Sequence, residues 1–162
     1  MTDFSTPIPL PPVAELIPHQ APMILIDKVL SAGEEHVHCQ LEVTQAHTFF
    51  DHDSQTIPAW VGIELMAQTV ATWSGYRARQ AGSLPPIGFL LGSRRYHSDV
   101  SAFALGQILD IRAERLMEDN GMAVFSCRIE SQGQQLAVSQ LNAFVPSAEK
   151  LAAMQQHKEA KS

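Results

Sequence analysis

Glu64 and Gln68 are the first residues in this chain whose type and spacing could do chemistry. They stand in the stretch 57–76, Ile-Pro-Ala-Trp-Val-Gly-Ile-Glu-Leu-Met-Ala-Gln-Thr-Val-Ala-Thr-Trp-Ser-Gly-Tyr, where Glu64 is the only charged side chain. Four residues apart, they share one side of a helix. A lone carboxyl in a buried helix is costly unless it is paired or used, and such groups are candidates for proton-transfer chemistry. The plainer alternative is a structural carboxylate, hydrogen-bonded or held near the helix start by the dipole. His52, between Asp51 and Asp53, offers an imidazole that the two carboxylates either tune or merely solvate. His36 and His38 have the spacing of a strand metal pair, but no third ligand accompanies them, so a solvated strand face is the better reading. No metal site is expected.

The elements that must position these groups follow from periodicity. The stretch 57–76 is apolar nearly all round, which marks a helix inside a protein. It is long enough to span a bilayer, at about 20 residues. Glu64, Gln68 and the run of Thr, Ser and Gly oppose that, since a carboxylate in lipid costs a few kcal/mol. Pro58 suits the first helical turn, with Thr56 or Ile57 at the cap. Gly75 and the polar run beyond Arg77 predict the end. Ile63, Leu65, Met66, Thr69, Val70, Trp73 and Tyr76 form a bulky face. Trp60, Glu64, Ala67, Gln68, Ala71 and Gly75 form a smaller, more polar one.

Around the helix, the apolar run 23–29 reads as a buried strand. Residues 36–43 alternate, with Val37, Cys39, Leu41 and Val43 inward. A loop, 44–56, leads to the helix, and a linker, 80–86, leads away. Strands are predicted at 89–97, 107–117, 122–131 and 134–145, ended by Pro146. Arg94 and Arg95, adjacent in the first of these, should face opposite sides. Asp119-Asn120-Gly121 signals a tight hairpin, and Gln132-Gly133 a second turn. Residues 1–12 read as a flexible arm because Pro7, Pro9, Pro11 and Pro12 block regular structure. The globular unit is 13–146, and 147–162 is a tail. Two strands, one long buried helix and four more strands describe an α+β chain, in which a curved antiparallel sheet wraps one central helix. That is the hotdog architecture, usually a dimer.

Composition narrows the function. The chain has 162 residues, 45% of them hydrophobic and 17% charged, enough for one domain with a good core. A net charge of −6 argues against nucleic acid as a partner. No apolar leader opens the sequence, and no membrane role is expected. Cys39 and Cys127 fall on the apolar faces of strands and read as reduced, buried thiols of a cytoplasmic protein.

Two motifs carry a resemblance. Pro18-His19-Gln20-Ala21-Pro22-Met23-Ile24-Leu25-Ile26-Asp27-Lys28-Val29 resembles the opening strand of 3-hydroxyacyl-[acyl-carrier-protein] dehydratases. Ile57-Pro58 followed by Glu64-Leu65-Met66-Ala67-Gln68 resembles their central helix. The similarity spans residues 16–146. Trp73-Ser74-Gly75, Leu90-Leu91-Gly92-Ser93-Arg94 and Leu141-Asn142-Ala143-Phe144 look like the branch associated with aryl-polyene assembly. The resemblance implies a hotdog fold and dehydration of 3-hydroxyacyl thioesters on acyl carrier protein, in fatty-acid-like or aryl-polyene biosynthesis. It implies no cofactor. The partners it implies are the loaded carrier and either a second copy or another hotdog dehydratase.

In that family a His removes the α-proton and an acid protonates the departing hydroxyl. A backbone N–H at the helix start polarises the thioester carbonyl, and the His and acid of one site come from different subunits. Carried over by position, Glu64 matches the acid and Gln68 a companion polar group. Ala59 stands where the family has the glycine whose N–H holds the carbonyl. His52 is the candidate nearest to the family's base, although the Phe-Pro-Gly that follows that His is absent here. His47 and His19 are poorer candidates. Two other functions fit the same residues: a non-catalytic partner subunit of a heterodimeric dehydratase, and a thioesterase in which a helix acid activates water.

Overall fold

Val37, Cys39 and Leu41 alternate with polar residues, and so do the apolar residues of three later segments. Such alternation builds a sheet with one dry face. The computed structural model describes residues 10–82 and 89–144, with backbone alone over 89–94. The 147–162 tail, residues 1–9 of the predicted arm, the linker beyond Gly82, Pro146 and the Arg94 side chain lie outside the described residues.

The strands are β1 (Lys28–Ala32), β2 (His36–Glu42), β3 (Thr56–Pro58), β4 (Phe89–Ser98), β5 (Ala102–Ala104), β6 (Ile108–Asp119), β7 (Met122–Ser131) and β8 (Gln134–Phe144). One helix, α1 (Gly62–Gln80), lies between β3 and β4. Six strands pair antiparallel in the order β1-β2-β6-β7-β8-β4, and β3 pairs with β5 as a small separate ribbon. α1 touches all six strands of the large sheet, so the sheet wraps the helix. The predicted hotdog architecture is the one observed.

Register explains the core. Cys39 pairs with Ile111, Ile111 with Ile129, and Ile129 with Ala137, a buried row running across four strands. Against this face α1 packs Leu65, Met66, Val70 and Trp73. Thr69 and Thr72 are also buried, and their hydroxyls donate to the Leu65 and Gln68 carbonyls one turn back. The two hairpins turn where the dipeptides predict. Asn120 and Gly121 have φ of 52° and 85°, and Gln132 and Gly133 have 51° and 79°. Positive φ at both central residues matches the right-handed twist of the flanking strands.

Three expectations need correction. First, the run 23–29 does not ladder along its length, and β1 begins only at Lys28. Leu25 and Ile26 are buried as predicted, but the Met23 carbonyl and both Leu25 backbone groups bond to side chains instead of a neighbouring strand. Second, α1 runs past Arg77 to Gln80, and Pro58 precedes a 3₁₀ turn (Ala59–Val61) instead of entering the first α-helical turn. Third, Gly75 does not end the helix. A Cβ there would fall 1.7 Å from the Leu16 carbonyl oxygen, so glycine lets the segment around the Val13–Glu15 turn cross α1 at backbone contact.

Candidate functional site at the start of the central helix

The helix start is built from both sides. Ile57 is fully buried and pairs with Phe103 across the small ribbon. The Ala59 N–H donates to the Ser101 carbonyl at 3.1 Å, and the Tyr96 hydroxyl donates to the Ala59 carbonyl at 2.5 Å. Burial pushes the Tyr96 phenol up, which keeps it a neutral donor. Gly62 makes this close approach feasible, because a Cβ there would lie 2.2 Å from the Tyr96 hydroxyl. The Ala59 peptide is thus bonded through both its N–H and its carbonyl. The Ala59 N–H, expected to hold a substrate carbonyl, is occupied by Ser101.

One turn on, Glu64 is exposed. This corrects the expectation of a carboxyl inside a sealed helix. Trp60, in the 3₁₀ turn, is 57% exposed, and Ala67 and Ala71 of α1 are half-buried, so a stripe running from Trp60 along α1 is left uncovered by the described residues. The sequence pattern marks this as the smaller, more polar face but does not show that it lies open.

Gln68 behaves differently. It is 3% exposed. Its Oε1 accepts the Leu25 N–H at 2.8 Å and its Nε2 donates to the Met23 carbonyl at 2.6 Å. The amide expected to face substrate is engaged by backbone here, where it fixes the segment ahead of β1.

His52 is exposed on a tight turn. An isolated bridge between Asp51 and Thr56 closes that turn, and Gln55 there has a φ of 59°. The His52 ring packs edge-on against Phe50, with centroids 5.0 Å apart. The Asp51 carboxylate accepts the Asp53 N–H at 2.9 Å. Among the described residues no hydrogen bond joins His52 to Glu64.

The residue that sequence reasoning set aside is His47. Its Nε2 lies 3.1 Å from the Leu25 carbonyl and its Nδ1 accepts the Phe49 N–H at 3.1 Å. Burial lowers its pKa, against the weaker opposite pull of the Leu25 carbonyl and the Asp27 carboxylate. The available signal was a histidine just ahead of the Phe49-Phe50 pair, in a loop otherwise polar. His38, of the suspected metal pair, instead bonds Asp110 at 2.8 Å on the outer face of the sheet. Among the described residues no group of three or more His, Cys, Asp or Glu is placed to hold a metal ion.

A six-stranded antiparallel sheet wrapped on one long helix is the hotdog fold. Residues 11–156 match the ApeP-like family, described as ApeP dehydratase, and the chain belongs to that family. A solved structure of the dehydratase heterocomplex ApeI:P from Xenorhabdus doucetiae is similar, with a TM-score of 0.80 and 33% identity over 88% of this chain and 96% of that one. The 3-hydroxyacyl-[acyl-carrier-protein] dehydratase FabZ of Deinococcus radiodurans is 29% identical over 84% of this chain and 92% of its own length. That of Pseudothermotoga lettingae is 25% identical over 85% and 96% respectively. A hypothetical thioesterase from Streptococcus pneumoniae shares the fold at a TM-score of 0.58 and 17% identity.

Proposed function

We propose that this chain dehydrates 3-hydroxyacyl thioesters on acyl carrier protein, in fatty-acid-like or aryl-polyene assembly, with Glu64 as the acid. The carrying observation is Glu64 itself: exposed, in the first turn of the central helix, on a stripe that the described residues leave open. Membership in the ApeP-like dehydratase family supports the reaction class. A base removes the α-proton, the C–H electron pair becomes the new C=C bond, and the β-hydroxyl leaves as water with a proton from Glu64. The Trp60 N–H, in the first turn, polarises the thioester carbonyl in place of the Ala59 N–H.

The base comes from a facing subunit. His52 fills that role when the partner is a second copy, since it is exposed and out of hydrogen-bond contact with Glu64 of its own chain. A distinct hotdog dehydratase as partner is supported by the likeness to a heterocomplex. In both cases the uncovered Trp60–Glu64 stripe and the edge strand β4 are the surfaces to be covered, because open strand edges are normally paired or shielded.

The test is turnover of 3-hydroxyacyl carrier-protein substrates by the chain alone and after mixing with a second hotdog dehydratase, for wild type, Glu64→Gln and His52→Ala. Glu64→Gln should lower the rate by about 10²–10⁴-fold, the usual contribution of a positioned acid or base. A similar loss in His52→Ala, with the chain alone, identifies the homodimer. Activity only on mixing, indifferent to His52, identifies the heterodimer. Full turnover by Glu64→Gln overturns the reading, and release of free acid in place of enoyl product indicates a thioesterase.

A further inference from the structure

Glu64 sits midway along the segment 60–68, and both ends of that segment lead to one side chain. At one end, Trp60 packs edge-on against Phe49, with centroids 5.5 Å apart, and the Phe49 N–H bonds His47 Nδ1. At the other end, Gln68 Oε1 accepts the Leu25 N–H, and the Leu25 carbonyl bonds His47 Nε2. The contacts Trp60–Phe49–His47–Leu25–Gln68 therefore close a circuit around the acid. The two bonds also fix the tautomer. A backbone N–H only donates and a carbonyl only accepts, so Nδ1 is bare and Nε2 carries the proton. The Phe49 ring adds a tilted contact with the imidazole at 6.3 Å.

We infer that His47 is a positioning residue for the dehydration, fixing both ends of the helix segment that presents Glu64. The inference rests on the reading of Glu64 as the acid. It follows from geometry that the helix alone does not supply. Glu64 is exposed and lacks a side-chain hydrogen bond among the described residues, so its placement depends on where α1 starts and how the 44–52 loop lies against it. The imidazole suits this corner because it offers an acceptor and a donor on opposite sides of one rigid ring. A displacement of about 1 Å in a reacting group is enough to cost about 10²-fold in rate.

The experiment uses the active assembly and a series of 3-hydroxyacyl carrier-protein thioesters. Wild type, Glu64→Gln, His47→Ala, His47→Asn and His47→Gln are compared, with melting curves alongside. Asparagine keeps an acceptor near Nδ1, and glutamine keeps a donor near Nε2. His47→Ala should lower kcat by about 10- to 100-fold with KM within about twofold, since a misplaced acid affects the transition state more than binding. Each half-variant should recover part of that loss. If His47→Ala does not fold, the half-variants carry the comparison. Nitrogen shifts of the wild-type imidazole should report the neutral Nε2–H form. Unchanged kcat per folded molecule, whatever the melting point does, overturns the proposal, as does an Nδ1–H tautomer. Full activity in Glu64→Gln would instead overturn the role of the acid, an outcome separate from failure of the His47 variants alone.

Discussion

Trp73 and Trp60 stand on the same helical rod, yet they belong to different environments. Trp73 is 3% exposed, its ring meets Phe125 edge-on at 4.9 Å, and its indole N–H donates to the Glu34 carbonyl at 3.1 Å. Arg77 and Arg115 lie over its ring at 5.0 and 5.9 Å, and both pair with Glu118. Trp60 is 57% exposed and touches Phe49 by one edge. The chain completes the packing of one indole and leaves the other open. The contrast separates the part of this rod that is packed into the fold from the part that is exposed. Glu64 belongs to the second part.

Substitutions along α1 can break or sharpen that contrast. The largest expected effect on stability is Trp73→Ala. It should destabilise by about 3–5 kcal/mol, the range for removing a large buried aromatic. A denaturation midpoint equal to wild type would place Trp73 outside the core. Next is Gly75→Ala. Its new Cβ would meet a backbone carbonyl, not a side chain that can swing away, so overpacking of about 1–3 kcal/mol should follow. An unchanged midpoint there would show that the segment carrying Leu16 yields freely.

The smallest effect on the chain itself should come from Trp60→Ala, within about 0.5 kcal/mol, as for an exposed site. The same variant should weaken assembly, since tryptophans at interface centres often contribute about 2 kcal/mol or more. Sedimentation at several concentrations reads this directly. A loss of midpoint as large as that of Trp73→Ala, with assembly intact, would dissolve the distinction between the two indoles.

The sequence made some of this legible and hid the rest for physical reasons. Alternation along 36–43 and 122–131 exposed the dry sheet face, and Asn120-Gly121 fixed a hairpin, because these signals are local. The helix and its bulky face were legible for the same reason. Glu64 was recognisable as a singular acid, but not its exposure, since a stretch apolar nearly all round does not show which of its faces the rest of the fold covers. A sequence does not show that the Ala59 N–H meets the Ser101 carbonyl or that the Gln68 amide meets the Leu25 backbone. The apolar run 23–29 reads as a strand throughout, and only the Gln68 and His47 side chains explain why the ladder starts late.

The two cysteines beneath the helix have a chemical consequence. Burial pushes the Cys39 and Cys127 thiols up to about 12. At neutral pH the thiolate fraction is then about one in 10⁵, and the thiolate is the nucleophilic form. Cys39 lies beside the buried Thr69 and Thr72 of α1. If a thioester binds at the helix start as proposed, neither thiol offers it a thiolate able to capture its acyl group.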